Sequence, residues 1–153
     1  MSGYAEGLGS GRIDGDTHSF PVRVYYEDTD VGGIVYNANY LKFAERARTE
    51  MLRLVGINQS EMADRYGMVF AVRACAVEFL RPARLDDVIE VRSRLVKLAA
   101  ATISAVQAFW RGTEELARLE LSVACVRRDG RPARIPAPVR HALEPYVQRS
   151  EQS

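Results

Sequence analysis

Hydrophobic and polar positions change rhythm three times along this chain. From Phe20 to Tyr26 the run FPVRVYY alternates and is rich in β-forming residues, which predicts a first strand ending near the acidic cluster Glu27, Asp28 and Asp30. Gly32-Gly33 then breaks the pattern. From Tyr40 to Val55 the repeat is helical: Tyr40, Phe43, Ala44, Ala47, Met51, Leu54 and Val55 share one stripe, with Lys42, Arg46, Thr49 and Arg53 opposite. Asn39 is the expected N-cap and Gly56 the expected stop. A second, shorter helix is expected from Asn58, where Asn58 and Glu61 have capping-box spacing and Gly67 ends the run. Alternation then returns over Met68–Leu80, Val88–Leu98, Thr102–Arg111 and Leu116–Arg128, joined by short links that contain turn residues. This predicts an antiparallel meander. After Asp129-Gly130 and three prolines, a last helix is expected over Val139–Gln148.

Strand, long helix, then four strands make an α+β domain in which one helix covers one face of a curved sheet. A helix from Tyr40 to Val55 is too short to cover five strands, so the bare part of the sheet calls for another subunit, and the layer geometry predicts a homo-oligomer. Residues 1–19 hold five of the eleven glycines and few large apolar groups; they read as a flexible leader, with a single domain over residues 20–150.

Composition narrows the function classes. The 153 residues are 47% hydrophobic and 27% charged, in the range of soluble globular proteins. Twenty-one basic against twenty acidic residues leave a formal charge of +1, which gives no field to gather nucleic acid or an anionic membrane. No run of about 18 apolar residues and no signal-peptide pattern are present, so the expected location is the cytoplasm and no transmembrane segment is expected. Cys75 and Cys125 lie in apolar strand-like surroundings and read as buried free thiols. With His18 and His141 they show no metal-ligand spacing, so no metal is expected.

Candidate chemistry concentrates in YYEDTDVGGIVYNANY, residues 25–40. Asp28 and Thr29 read as turn-forming residues. Asp30 differs because it directly precedes a segment with two glycines that leads into a helix. Glycines such as Gly33 let backbone approach a ligand, and the N–H groups of a helix start polarise a carbonyl or hold an anion. A carboxylate beside such an end suits hydrolysis. Tyr26 and Tyr40 flank the segment and read first as packing residues. Arg48, at the edge of the helical stripe, is expected to pair with Glu45. Arg127, Arg128, Arg131, Arg134 and Arg140 face only Asp129, giving +4 over residues 121–140, a group suited to holding phosphates.

The segment YYEDTDVGGIVYNANYLKFAERARTEML, with VEFLRPARLDDVIEV further on, closely resembles the hotdog-fold acyl-CoA thioesterases of the 4-hydroxybenzoyl-CoA thioesterase type, and among them the Tol-Pal-associated, YbgC-like proteins. The resemblance implies a long helix wrapped by a five- to six-stranded antiparallel sheet, in dimers and in tetramers of dimers. It places the catalytic aspartate at Asp30, as nucleophile or general base, and the carbonyl-polarising backbone N–H at Asn37. Many relatives have His where this chain has Asn37; a main-chain donor survives that change, whereas a protonatable side chain does not. Tyr26, Gly33, Tyr40, Arg127 and Arg128 are the candidate substrate-binding residues. No cofactor is implied, coenzyme A being part of the substrate, and an acyl carrier protein is a candidate partner. Two rival classes remain. One is a thioester-binding or scaffold protein of an envelope or lipid-synthesis complex with little turnover. The other is an acyl hydratase, disfavoured because neither His18 nor His141 is near the acidic turn.

Overall fold

The computed structural model describes residues 9–147. Its elements in chain order are β1 (Arg12–Asp14), β2 (Thr17–Arg23), a 3-10 turn (Tyr26–Asp28), α1 (Asn37–Leu54) and α2 (Gln59–Tyr66). There follow β3 (Met68–Phe79), β4 (Val88–Leu98), β5 (Thr102–Arg111), β6 (Glu114–Arg127), α3 (Ala137–Leu143) and a second 3-10 turn (Glu144–Tyr146). One antiparallel sheet takes the order β1-β2-β4-β5-β6-β3. Tyr40, Phe43, Ala44, Ala47 and Met51 turn the apolar stripe of α1 onto Ile89 and Val91 of β4, Phe109 of β5 and Leu119 of β6. The helix lies along one face of the sheet, the α+β arrangement that the resemblance implies.

Punctuation decides the ends of the elements. Asn58 caps α2 by accepting from Glu61 N–H at 3.1 Å, and Gly67 closes it in the left-handed region at φ 67°. Pro145 prevents α3 from running on, because proline lacks the N–H and collides with the preceding turn. The expected helix to Gln148 therefore ends at Leu143 and passes into the 3-10 turn, with Gln148 outside the described residues.

The meander needs correction. β4, β5 and β6 are joined by tight turns, but β3 pairs with β6 and not with β4. The link between β3 and β4 spends its backbone groups elsewhere. Val24 N–H donates to Asp87 O at 2.8 Å, Asp86 N–H to Val24 O at 3.0 Å, and Val35 N–H to Ala83 O at 2.8 Å. That link therefore delivers β4 to β2 and leaves β3 on the far edge. The leader is corrected as well. Arg12–Asp14 pairs with Thr17–Ser19, the buried His18 donating Nε2–H to Ser10 O at 2.8 Å, so the sheet takes in residues 12–19; residues 1–8 lie outside the described part. The single domain thus begins earlier than residue 20.

β3 is bare on both faces over most of its 12 residues, with Val69, Val72 and Phe79 exposed, and its outer edge has no partner strand among the described residues. This overturns the reading of Cys75 as buried: it lies on β3 and is exposed, whereas Cys125 on β6 is buried and burial pushes its thiol pKa up.

Candidate active site

The acidic turn is built by its own side chains. Asp28 accepts at Oδ2 from Tyr25 N–H at 2.8 Å, Thr29 Oγ1 donates to Tyr26 O at 2.8 Å, and Asp28 N–H donates to Tyr25 O at 2.9 Å. These bonds end the strand after Arg23 and curl residues 26–28 into the 3-10 turn, earlier than the expected end at Tyr26. The chain then doubles back. Thr29 bridges Val35, Asp30 N–H donates to Ile34 O at 2.9 Å, and Tyr36 N–H donates to Asp28 O at 3.0 Å. Gly33, at φ 80°, donates to Asp30 O at 3.0 Å and makes the reversal possible. Asp30 thus stands across from Ile34, at the tip of a small hairpin whose return strand runs straight into α1.

The Asp30 carboxylate is exposed and held. Its Oδ1 accepts from Gly32 N–H at 2.8 Å, and a Cβ at Gly32 would come within 3.2 Å of that oxygen. Together with Tyr25, Tyr26, Glu27, Thr29 and Val31 it lines an open hollow.

Helix α1 starts at Asn37, three residues before the expected start, because Asn39 does not cap it. The buried Asn39 side chain instead donates through Nδ2 to Asp28 O at 2.8 Å, clamping the first helical turn to the 3-10 turn. Among the described residues the N–H groups of Asn37 and Ala38 make no hydrogen bond, whereas Asn39 N–H donates to Tyr36 O at 2.8 Å. Two backbone donors and the positive end of the helix dipole are left facing outward beside the hairpin.

A second brace lies behind the hairpin. Ile34 bridges Arg84, and the loop around Arg84 is tied by Arg84 N–H donating to Asp87 Oδ2 at 2.8 Å. Arg111 Nη1 donates to the same Asp87 Oδ2 at 2.7 Å and to Pro82 O at 3.2 Å, and its bonds to Asp87 and Glu114 raise its pKa. Sequence reasoning named Asn39 only as an N-cap, not as this clamp, and missed the brace; the signal available for the latter was Asp87 after Pro82-Ala83-Arg84 in the ARLDD segment.

Residues 24–143 match the model of the thioesterase-like superfamily. The chain is 44% identical, over 108 residues, to the acyl-CoA thioesterase YbgC of Haemophilus influenzae, a match covering 71% of this chain and 79% of that protein. The chain belongs to the YbgC-like hotdog thioesterases. This YbgC-like chain also superposes on the crystal structure of a probable thioesterase from Bartonella henselae with a TM-score of 0.75 at 35% identity, covering 78% of this chain and 99% of the other. With a 4-hydroxybenzoyl-CoA thioesterase the TM-score is 0.79 at 18% identity, covering 84% and 99%, a likeness of fold.

Seen on the YbgC-like fold, the candidate residues separate into groups. Asp30, Gly33, Asn37 and Tyr26 share the hairpin and helix corner, and Tyr26 is 83% exposed there, so it is not a packing residue. Tyr40 is: its ring meets Phe43, Phe79 and Phe109 edge-on, and burial pushes its phenol pKa up. Arg127 and Arg128 stand apart. Arg127 pairs with Met68 at one end of β3, whereas Ala117 pairs with Phe79 at the other end, near the hairpin, so roughly 35 Å of strand intervenes within one chain. Of the other arginines, Arg131 pairs with Asp129 at 3.7 Å, and Arg140 donates to Ala99 O at 2.7 Å, fastening α3 to the β4–β5 turn. Arg48 does not pair with Glu45; it points inward and donates Nη1 to Gln107 Oε1 at 3.0 Å. Among the described residues no group of three or more His, Cys, Asp or Glu is placed to hold a metal, and no helix is long and apolar enough to cross a membrane.

Proposed function

We propose that this chain hydrolyses the thioester bond of an acyl-CoA with Asp30 as the acting carboxylate and the Asn37 N–H as the group that polarises the carbonyl. The coarse activity is that of the YbgC relatives at 44% identity. The observation that carries the finer reading is the corner itself: an exposed carboxylate fixed by Gly32 N–H, on a hairpin whose other arm ends in unpaired helix N–H groups. As general base, Asp30 takes a proton from water, and the oxygen attacks the carbonyl carbon. The oxyanion forms against the Asn37 N–H, and collapse breaks the C–S bond, coenzyme A leaving as a thiolate that is then protonated. As nucleophile, Asp30 first forms a mixed anhydride with release of the same thiolate, and water then cleaves the anhydride. Side chain, amide and water suffice for either route, and coenzyme A enters with the substrate.

Asp30→Asn is expected to lower coenzyme A release, followed with a thiol reagent, by about a hundredfold or more while the circular dichroism spectrum is unchanged. Activity within a few-fold of the original protein would remove Asp30 from the reaction. Single turnover in ¹⁸O-labelled water identifies the nucleophilic route when label enters the Asp30 carboxylate, which requires water to cleave the anhydride at the aspartyl carbonyl; trapping of the anhydride with hydroxylamine identifies it when water attacks the acyl carbon instead.

The bare edge of β3 supports a homodimer in which two β3 strands pair antiparallel. Such pairing sets the Met68 end of one copy beside the Phe79 end of the other. It would carry the Arg127 and Arg128 of one copy toward the Asp30 corner of its partner, where they would meet the phosphates of coenzyme A.

A further inference from the structure

The loop that braces the hairpin also places a cation beside the reacting corner. Thr29 bridges Val35, Asp30 N–H donates to Ile34 O at 2.9 Å, and Ile34 bridges Arg84, each pairing antiparallel. Side chains directly opposite one another in such pairs share a face. Asp30, Ile34 and Arg84 therefore form one row across three arms of chain. Val35 and Ala83, one step along, are 2% and 0% exposed and mark the inner face, so the row lies on the outer one. Burial agrees, with Asp30 and Arg84 exposed and Ile34 half-buried between them. The Arg84 main chain is fixed, its N–H donating to Asp87 Oδ2 at 2.8 Å. Its guanidinium makes no hydrogen bond and no ion pair among the described residues, the Asp87 carboxylate being taken by Arg111 at 2.7 Å. Its neighbours differ: Arg81 pairs with Glu114, and Arg23 donates to Asp86 O at 3.4 Å.

We propose that Arg84 binds the phosphate that adjoins the pantetheine arm of coenzyme A, with the arm lying over Ile34. This rests on the reading of Asp30 as the acting carboxylate. Adjacent arms stand about 4.8 Å apart, which sets Arg84 about 10 Å from Asp30 at the Cα atoms, and a long side chain extends that reach. The pantetheine arm from sulfur to phosphate is as long as about four extended residues, roughly 14 Å. A thioester seated at Asp30 and Asn37 thus delivers this phosphate to Arg84, whose planar fork matches two phosphate oxygens in parallel hydrogen bonds. Arg127 and Arg128 of the second copy are left to the phosphates farther from the sulfur. The charge of the phosphate does not change as the thioester reacts, so Arg84 binds ground state and transition state alike and acts on KM, not on kcat.

Coenzyme A, phosphopantetheine and pantetheine, each titrated into the full chain by calorimetry, are the test. Phosphopantetheine is expected to bind at least about tenfold tighter than pantetheine. Arg84→Met should bring phosphopantetheine to within about twofold of pantetheine, weaken coenzyme A at least about fivefold and leave pantetheine unchanged. Arg84→Lys, which keeps the charge without the fork, should retain part of the preference. In thioester hydrolysis Arg84→Met should raise KM for acyl-CoA with kcat within about twofold of the original protein. Absence of saturable coenzyme A binding, equal affinity of the original protein for phosphopantetheine and pantetheine, or an undiminished preference in Arg84→Met would each overturn the proposal. So would a loss of pantetheine binding as large as that of coenzyme A. Preference for coenzyme A without preference for phosphopantetheine would place the recognised phosphate on the nucleotide and overturn it too. Should Arg84→Met fail to fold, the ligand comparison on the original protein and Arg84→Lys still decides. Binding is read without turnover, so its failure leaves the reading of Asp30 intact, whereas an active Asp30→Asn would remove Asp30 without altering these affinities.

Discussion

Asn37 and Asn39 occupy one turn of helix and do different work. Asn37 offers its main-chain N–H, whereas Asn39 offers its side chain to Asp28 O. Proline at the first helical position keeps the helix but removes that N–H, and Tyr36, at φ −67° and ψ 135°, already has the extended conformation required before a proline. Asn37→Pro is therefore expected to fold normally and to lose about a hundredfold in kcat, while Asn37→Ala stays within a few-fold, both followed by thiol release. Asn39→Ala removes one of two hydrogen bonds to the Asp28 carbonyl, which keeps the one from Tyr36 N–H. It should cost about 1 kcal/mol in chemical denaturation and lower kcat by loosening the corner.

His18 gives a pH dependence with a definite sign. Burial lowers its pKa, outweighing the Ser10 carbonyl and Glu50, and its Nδ1 is buried without a partner. The unfolded chain therefore binds this proton more readily than the folded one. The folded state keeps its full stability above the ordinary histidine pKa of about 6.5, and loses it as pH falls below that value toward the depressed one. Thermal melting from about pH 7.5 to about pH 5 should show a steeper loss for the original protein than for His18→Gln.

At the scale of elements, β1 shows what a glycine-rich segment conceals. Five glycines among the first 19 residues read as a flexible leader, yet Gly11, at φ 80°, lies so close to β2 that a Cβ there would collide with the Ser19 carbonyl oxygen. The glycine is a packing requirement. Gly11→Ala should detach β1, costing at least about 1 kcal/mol from the left-handed backbone alone and abolishing hydrogen-exchange protection in Arg12–Asp14. β4 and β5 needed no such correction, because their alternation and their tight turns are local properties. β3 was equally legible as a strand. Its place was not, since the pairing of β3 with β6 depends on where the link through Ala83 and Asp87 makes its hydrogen bonds.

For the whole molecule, the proposed β3–β3 pairing would account both for the exposed apolar β3 edge and for the distance from Arg127 and Arg128 to the hairpin. Val72→Lys places a charge on that strand and should reduce the sedimenting species to a single chain. The same variant is expected to raise KM for acyl-CoA, as should Arg127→Ala with Arg128→Ala, the latter without change of mass.

The sequence by itself determined the helices, the strands from β2 to β6 and the caps at Asn58 and Gly67, and it singled out Asp30 as the candidate carboxylate, because periodicity, glycine and proline act over a few residues and the D-T-D-V-G-G segment is contiguous. Only the tertiary structure decided that β3 lies at the edge, that Asn39 is a clamp and not a cap, that Cys75 is exposed, and that Arg48 turns from Glu45 to a buried Gln107. Each of these rests on a contact between residues distant in the chain. The partner a polar group chooses there is fixed by which surfaces the fold has buried, and a linear pattern does not carry that information.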